Sequence, residues 1–224
     1  MTILDAVLAF AVVAGLLTLI PGLDTALVLR SSLSRSRTYA WATALGVITG
    51  SFIWGIAAAV GVSALLAASE LAYRLLTVAG AGYMLWLGGN LIRTSFRPAP
   101  APSADAPAPA EGSAWRGLLI GAATNLLNPK VGVFYIATIP QFLPAGVSPL
   151  LMGVLLAGVH GALTLIWFTL LIVGGGYAKR WLGNPRALAA VDRVTGLVLI
   201  GFGGKLAVDA LPQAGPSPAA VRLA

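Results

Sequence analysis

The 224-residue chain has no cysteine, a single histidine and few charges. The first absence removes disulfides, thiolate metal sites and thiol redox chemistry together. One histidine, His160, leaves no multi-histidine metal cluster. No His-Glu-x-x-His run occurs, which removes the zincin proteases. Charged residues make up 9% of the chain, whereas a soluble domain carries roughly 25%. Apolar residues take their place: 58% of the chain is hydrophobic and the mean hydropathy is +0.90. This combination predicts an all-α polytopic membrane protein held in a lipid bilayer, with no cofactor implied.

A transmembrane helix needs about 20 consecutive apolar residues. Six runs meet that need, at about 5–30, 39–67, 71–93, 116–139, 147–175 and 192–211. Between the third and fourth lies "RPAPAPSADAPAPAEGSA", whose Pro/Ala repetition cannot build a packed core and reads as a linker. The expected organisation is a first three-helix repeat over 1–94, the linker over 95–114, a second repeat over 115–212 and a tail over 213–224. The opening "MTILDAV" has no basic region and carries Asp5, so it does not read as a signal peptide.

The net charge of +7 is a matter of position rather than of nucleic-acid binding. Arg30, Arg35, Arg37, Arg93, Arg97 and Arg116 fall at the first and third connections, and Lys179, Arg180, Arg186 and Arg193 at the fifth. The opposite side has only Arg74 and Arg222. The positive-inside rule then predicts a multi-pass protein of the bacterial inner membrane with odd-numbered loops in the cytoplasm and both termini outside. Within the basic fifth connection, Asn184-Pro185 reads as a helix cap and first turn.

The two halves echo each other. Pro21 and Pro129 lie 108 residues apart, as do Gly50 and Gly158, and "LGGNL" (87–91) is matched by "FGGKL" (202–206). Three spans per half make the second half an inverted repeat of the first, an arrangement in which broken helices mark a transporter's binding site. Helices one and four are expected to break at Pro21 and Pro129, because proline lacks an N–H and crowds the carbonyl four residues back. Those carbonyls, of Leu17 and Asn125, are expected to be left free, and each following half-helix offers amides that favour an anion. An amino-acid zwitterion needs both kinds of partner. The breaks also carry Asp24, Asn125, Asn128 and Lys130.

A charge at the bilayer centre costs about 2.5–3.5 kcal/mol on insertion scales, so Asp24 and Lys130 need a reason to be there. Either they neutralise each other structurally or they handle substrate and protons. For His160, in "LAGVHGALT", a proton relay and a hydrogen-bonded packing role are both open. "GVITG" (46–50) and "GLLIG" (117–121) have small-residue spacing that lets helices approach closely. Such faces serve a single bundle or a homo-oligomer equally well.

"PGLDTALVLRSSLSRSRTYAWATALGVITGSFIW" and "NLLNPKVGVFYIATIPQFLP" resemble two signatures of the LysE/RhtB family of amino-acid exporters. "AGAGYMLWLGGNLIR" and "DRVTGLVLIGFGGKLAV" are similar to that family's third and sixth helices. The resemblance implies a secondary transporter, not an enzyme, that exports amino acids or related metabolites from the cytoplasm, driven by the proton-motive force. It maps Pro21, Gly22, Asp24, Asn128, Pro129 and Lys130 onto motif positions; Asn125 and Ser51 complete the expected substrate site, and Asp24 and His160 are the proton-coupling candidates. Two positions depart from the family pattern: Leu23, where proline is frequent, and Ser51, where a carboxylate or amide is frequent. The alternatives are an exporter of another small solute or a cation, and an intramembrane assembly factor or enzyme.

Overall fold

The computed structural model describes residues 1–96 and 112–209, and these are helical throughout apart from turns. Most of the predicted linker with Arg97, and the tail with Arg222, lie outside the described residues.

Helix α1 (Ile3–Leu19) opens on a reciprocal cap: Thr2 Oγ1 accepts from the Asp5 amide, and the Asp5 carboxylate accepts from the Thr2 amide. It stops at Leu19 because Ile20 precedes a proline and takes an extended conformation. Helix α2 (Leu23–Ser34) follows at a bend of 56°. Its N-cap is Gly22, which contributes no side-chain hydrogen bond. Helix α3 (Arg37–Ala68) is capped by Ser36 and runs 32 residues, about 48 Å at 1.5 Å per residue. Helix α4 (Glu70–Thr94) is capped by Ser69.

In the second half, α5 (Ala114–Leu126) is followed by α6 (Pro129–Thr138). Pro129 occupies the first turn of α6, where its missing N–H costs nothing. A 3-10 turn (Ile139–Phe142) leads to α7 (Pro149–Leu182), which kinks at Gly175, where φ is +38°. Helix α8 (Pro185–Asp209) begins as expected, with Asn184 Oδ1 accepting from the amides of Arg186 and Ala187.

Among the described residues, four helices, α3, α4, α7 and α8, are individually long and apolar enough to cross a membrane, and a fifth span results if α1 and α2 count as one bent crossing. The residues of the fourth predicted run are divided between α5 and α6, of 13 and 10 residues, each shorter than a bilayer requires on its own.

Two glycine seams set the packing. Along the first, α3 and α5 touch backbone to backbone. A Cβ on Gly46 would overlap the Leu118 carbonyl oxygen, one on Gly121 the Thr43 carbonyl oxygen, and one on Gly117 would stand 2.9 Å from the Tyr39 carbonyl oxygen. These are the glycines of the two short motifs noted in the sequence. Along the second seam α4 meets α8: a Cβ on Gly88 would lie 2.6 Å from the Gly196 carbonyl oxygen, and one on Gly196 2.7 Å from that of Gly88. Between the seams sits an aromatic core. The Phe10 ring lies 6.0 Å from Phe134 and 5.5 Å, edge-on, from Phe142.

Because the obstacle on the first seam is backbone, Gly121→Ala is expected to destabilise the protein by about 1–3 kcal/mol, the usual cost of overpacking. Gly82, whose Cβ would meet nothing within 4 Å, provides the control. Thermal unfolding in detergent should show a lowered midpoint for Gly121→Ala and no loss for Gly82→Ala.

Candidate functional site

The α1–α2 and α5–α6 connections meet. Asn125, at the end of α5, donates from Nδ2 to Asp24 Oδ2 on α2 at 3.0 Å, and Asn128, the N-cap of α6, donates to the same oxygen at 3.4 Å. These bonds join residues 101 and 104 positions apart in the chain. Asn128 also caps α6, its Oδ1 accepting from the Lys130 amide at 3.2 Å.

Around this junction lies a cavity of about 60 Å³. Gly22, Asp24, Ser51, Asn125, Asn128 and Lys130 line it, and so does His160. Pro21 and Pro129 do not; they act only by ending one helix and starting another. The expected free carbonyls are not free. The Leu17 carbonyl accepts from the Ile20 amide at 3.3 Å and the Asn125 carbonyl from the Asn128 amide at 3.1 Å. Tightening of a last helical turn toward 3-10 geometry recaptures acceptors in this way. The polar chemistry of the cavity therefore belongs to side chains and to the open amides of α2.

Asp24 and Lys130 do not form the direct pair considered from the sequence. The one ion pair among the described residues is Arg74–Glu70 on the surface, at 2.6 Å. Lys130 is half-buried and lines the cavity. The carboxylate of Asp24 uses only one of its oxygens: Oδ1 is buried and has no hydrogen-bond partner in the protein. The same holds for Asn125 Oδ1. Both residues line the cavity, and a buried acceptor without a donor is costly; Asn125 Oδ1 lies 2.7 Å from where a Gly50 Cβ would stand.

His160 is buried, and its Nδ1 shares a 2.8 Å hydrogen bond with the Tyr135 hydroxyl. Rings of Phe10, Phe134 and Tyr135 surround it at 5.6–6.5 Å. Ser51 lies beside the same tyrosine. His160 thus combines a packed, hydrogen-bonded ring with an edge on the cavity.

Sequence reasoning missed three participants. Tyr135 was hidden in an apolar run. Thr164 and Phe168 line the cavity at the i+4 and i+8 positions from His160, a spacing that could have found them.

A bundle of long apolar helices with a small chamber where the α1–α2 and α5–α6 connections meet has the build of a membrane transporter. The LysE type translocator family matches residues 16–210, and the chain belongs to that family. It is 28% identical to the uncharacterized membrane protein YrhP of Bacillus subtilis over 209 residues, covering 90% of this chain and 98% of that protein. It is 27% identical to the leucine efflux protein of Klebsiella pneumoniae over 202 residues, covering 89% and 93%. It is 29% identical to the uncharacterized membrane protein PA4757 of Pseudomonas aeruginosa over 195 residues, covering 86% and 90%. No solved structure matches the chain. The protein is a membrane transporter and not an enzyme.

The bond between Asp24 and Asn125 can be measured directly. A double-mutant cycle of Asp24→Ala and Asn125→Ala, read by thermal unfolding, should give a coupling of about 0.5–3 kcal/mol, as for residues in one hydrogen-bond network. Additive effects would mean that the two side chains do not interact in the folded protein.

Proposed function

We propose that the protein is a secondary exporter of amino acids, driven by the proton-motive force, with the substrate bound in the Asp24 cavity. The two unpartnered acceptors, Asp24 Oδ1 and Asn125 Oδ1, carry this reading. An α-ammonium supplies three donors in the space of one group and satisfies both. The substrate carboxylate then turns to Lys130 and to the first-turn amides of α2, which no side chain caps. Leu17, Ile20, Val47, Val131 and Phe168 furnish an apolar wall of the same cavity. That wall, together with relatives named for leucine efflux, makes L-leucine the first compound to test.

In this reading α1–α2 and α5–α6 are the two broken spans, at Pro21 and Pro129, of an inverted repeat. The six spans divide into halves over 1–94 and 115–212, joined by the linker over 95–114. The odd-numbered loops face the cytoplasm and the termini face outward. Support comes from the way the two interruptions join at Asp24, since inverted-repeat transporters bind substrate where paired broken helices meet. Asp24 is the first site for a coupling proton, and His160 is a second, held by Tyr135 at the cavity wall.

Three experiments test this reading. Efflux of radiolabelled amino acids from cells overproducing the protein should collapse on addition of a protonophore. Asp24→Asn should lower that efflux by about tenfold or more with the protein still present in the membrane, as expected when a group that engages the transported species loses its charge. Undiminished efflux in Asp24→Asn would remove the carboxylate from the mechanism. A tag placed in the linker should be protected from externally added reagent, and labelling from outside would reverse the orientation.

A further inference from the structure

Helix α7 supplies three side chains to the cavity, His160, Thr164 and Phe168, one turn apart on a single stripe. The outer two are fixed by their neighbours. His160 is held by the Tyr135 hydroxyl, and Phe168 is buried in an apolar cluster with Val28, Val47 and Leu171. Thr164 between them is also buried, at 5% exposure, yet among the described residues its hydroxyl has no hydrogen-bond partner. A threonine inside a helix can satisfy its hydroxyl on the carbonyl four residues back. The buried Thr43, Thr138 and Thr195 all do so, as does Thr169 on α7 itself. Thr25, the other buried threonine on the cavity, stands beside Asp24 in the first turn of α2, where no helical carbonyl lies behind it. For Thr164 the His160 carbonyl stands in that position, and no bond is made to it. A buried hydroxyl without a partner is costly, so the partner of this one is sought in what enters the cavity.

We propose that Thr164 reads the substrate's side chain, and that its hydroxyl admits short neutral side chains carrying one hydrogen-bonding group alongside apolar ones. This rests on the reading of the Asp24 cavity as the substrate site. In that reading the substrate's ammonium and carboxylate are taken by Asp24, Lys130 and the first-turn amides of α2. The charges that line the cavity thus lie on α2 and α6, and α7 contributes neither a carboxylate nor an ammonium. A zwitterion anchored on those charges presents its side chain to the remaining wall, where Leu17, Ile20, Val47 and Phe168 are apolar. Of the hydroxyls on that wall, Thr18 is engaged by the Ala14 carbonyl at 2.8 Å and Ser51 lies beside Tyr135, which leaves Thr164. A hydroxyl both donates and accepts, so it suits a side-chain amide or hydroxyl equally. The threonine methyl and the neighbouring Phe168 ring suit an aliphatic branch. A charged side chain would find no counter-ion on α7.

The test uses the full chain purified and reconstituted in liposomes, with L-leucine and L-asparagine as probes. Their side chains have nearly the same branched shape, one ending in methyls and the other in an amide. Wild type is compared with Thr164→Val, which keeps the shape and removes the hydroxyl, and with Thr164→Ser, which keeps the hydroxyl. In Thr164→Val the ratio of transport efficiencies (maximal rate over KM), asparagine to leucine, should fall by about tenfold, the scale of one lost hydrogen bond to a substrate. Thr164→Ser should hold that ratio within about threefold of wild type. Both probes meet the same protein, so a partly misfolded preparation cancels from the ratio. An unchanged ratio in Thr164→Val overturns the proposal, and so does an equal fall in Thr164→Ser. A second measurement needs no variant. Unlabelled asparagine should compete with labelled leucine for wild-type transport at concentrations within about tenfold of the KM for leucine. Leucine transport that asparagine leaves untouched overturns the proposal and leaves the export reading standing. A wild-type protein that moves no amino acid would instead refute the export reading itself.

Discussion

The structure depends on how one carboxylate is kept inside a bundle of apolar helices. An ionised aspartate there is expensive, about 2.5–3.5 kcal/mol at a membrane helix centre. Hydrogen bonds to a charged group return about 1.5–3 kcal/mol each. Two amides, Asn125 and Asn128, are therefore enough to offset the cost of Asp24, but only if both reach the same oxygen from the other half of the chain. That requirement ties α2 to the α5–α6 junction. It also leaves the other carboxylate oxygen unused, and this is the acceptor that the proposed substrate ammonium would meet.

Reaching the same oxygen requires that α5 lie very close to α3. The glycines at 46, 50, 117 and 121 permit that approach. Gly50 connects packing to chemistry most directly: a Cβ there would stand 2.7 Å from Asn125 Oδ1 and 2.9 Å from Asn125 Cβ. The absence of a side chain at Gly50 is thus part of the amide's seat. Ser51 is on the next position of the same helix and lines the cavity. One stretch of α3 consequently supplies both the space for Asn125 and a hydroxyl for the site.

Much of this was legible in the chain because membrane proteins make anomalies conspicuous. A proline, a glycine and an aspartate within an apolar run are individually costly, so Pro21, Gly22 and Asp24 drew attention at once, as did Asn125, Asn128, Pro129 and Lys130. The short glycine motifs were legible for the same reason. What could not be read was which donor would reach which acceptor. Charge complementarity offered Lys130 as one possible partner of Asp24, whereas two shorter and more rigid amides hold that position. Free carbonyls at the breaks were expected from proline geometry alone, but a local change to 3-10 bonding satisfied them. Tyr135 carried no signal among its apolar neighbours.

The size of the cavity says where movement must come from. A volume of about 60 Å³ corresponds to only a few buried waters, each needing about 10–15 Å³ by a comparable measure. An amino acid with a branched side chain needs more room than that, so the walls must part for one to enter. The α3 wall cannot yield easily against α5, because backbone meets backbone along their seam. The aromatic core of Phe10, Phe134 and Phe142 blocks expansion beyond His160 by dense ring contacts. The α1–α2 junction is built differently. Its last helical bond is a long 3.3 Å contact, its proline contributes no donor, and its N-cap is a glycine with no side chain to hold the turn. Few bonds resist a change of angle there, and the element that would swing carries Asp24. The α1–α2 junction is thus lightly restrained by its own backbone, and under the proposed export reading a change of its angle would accompany substrate entry.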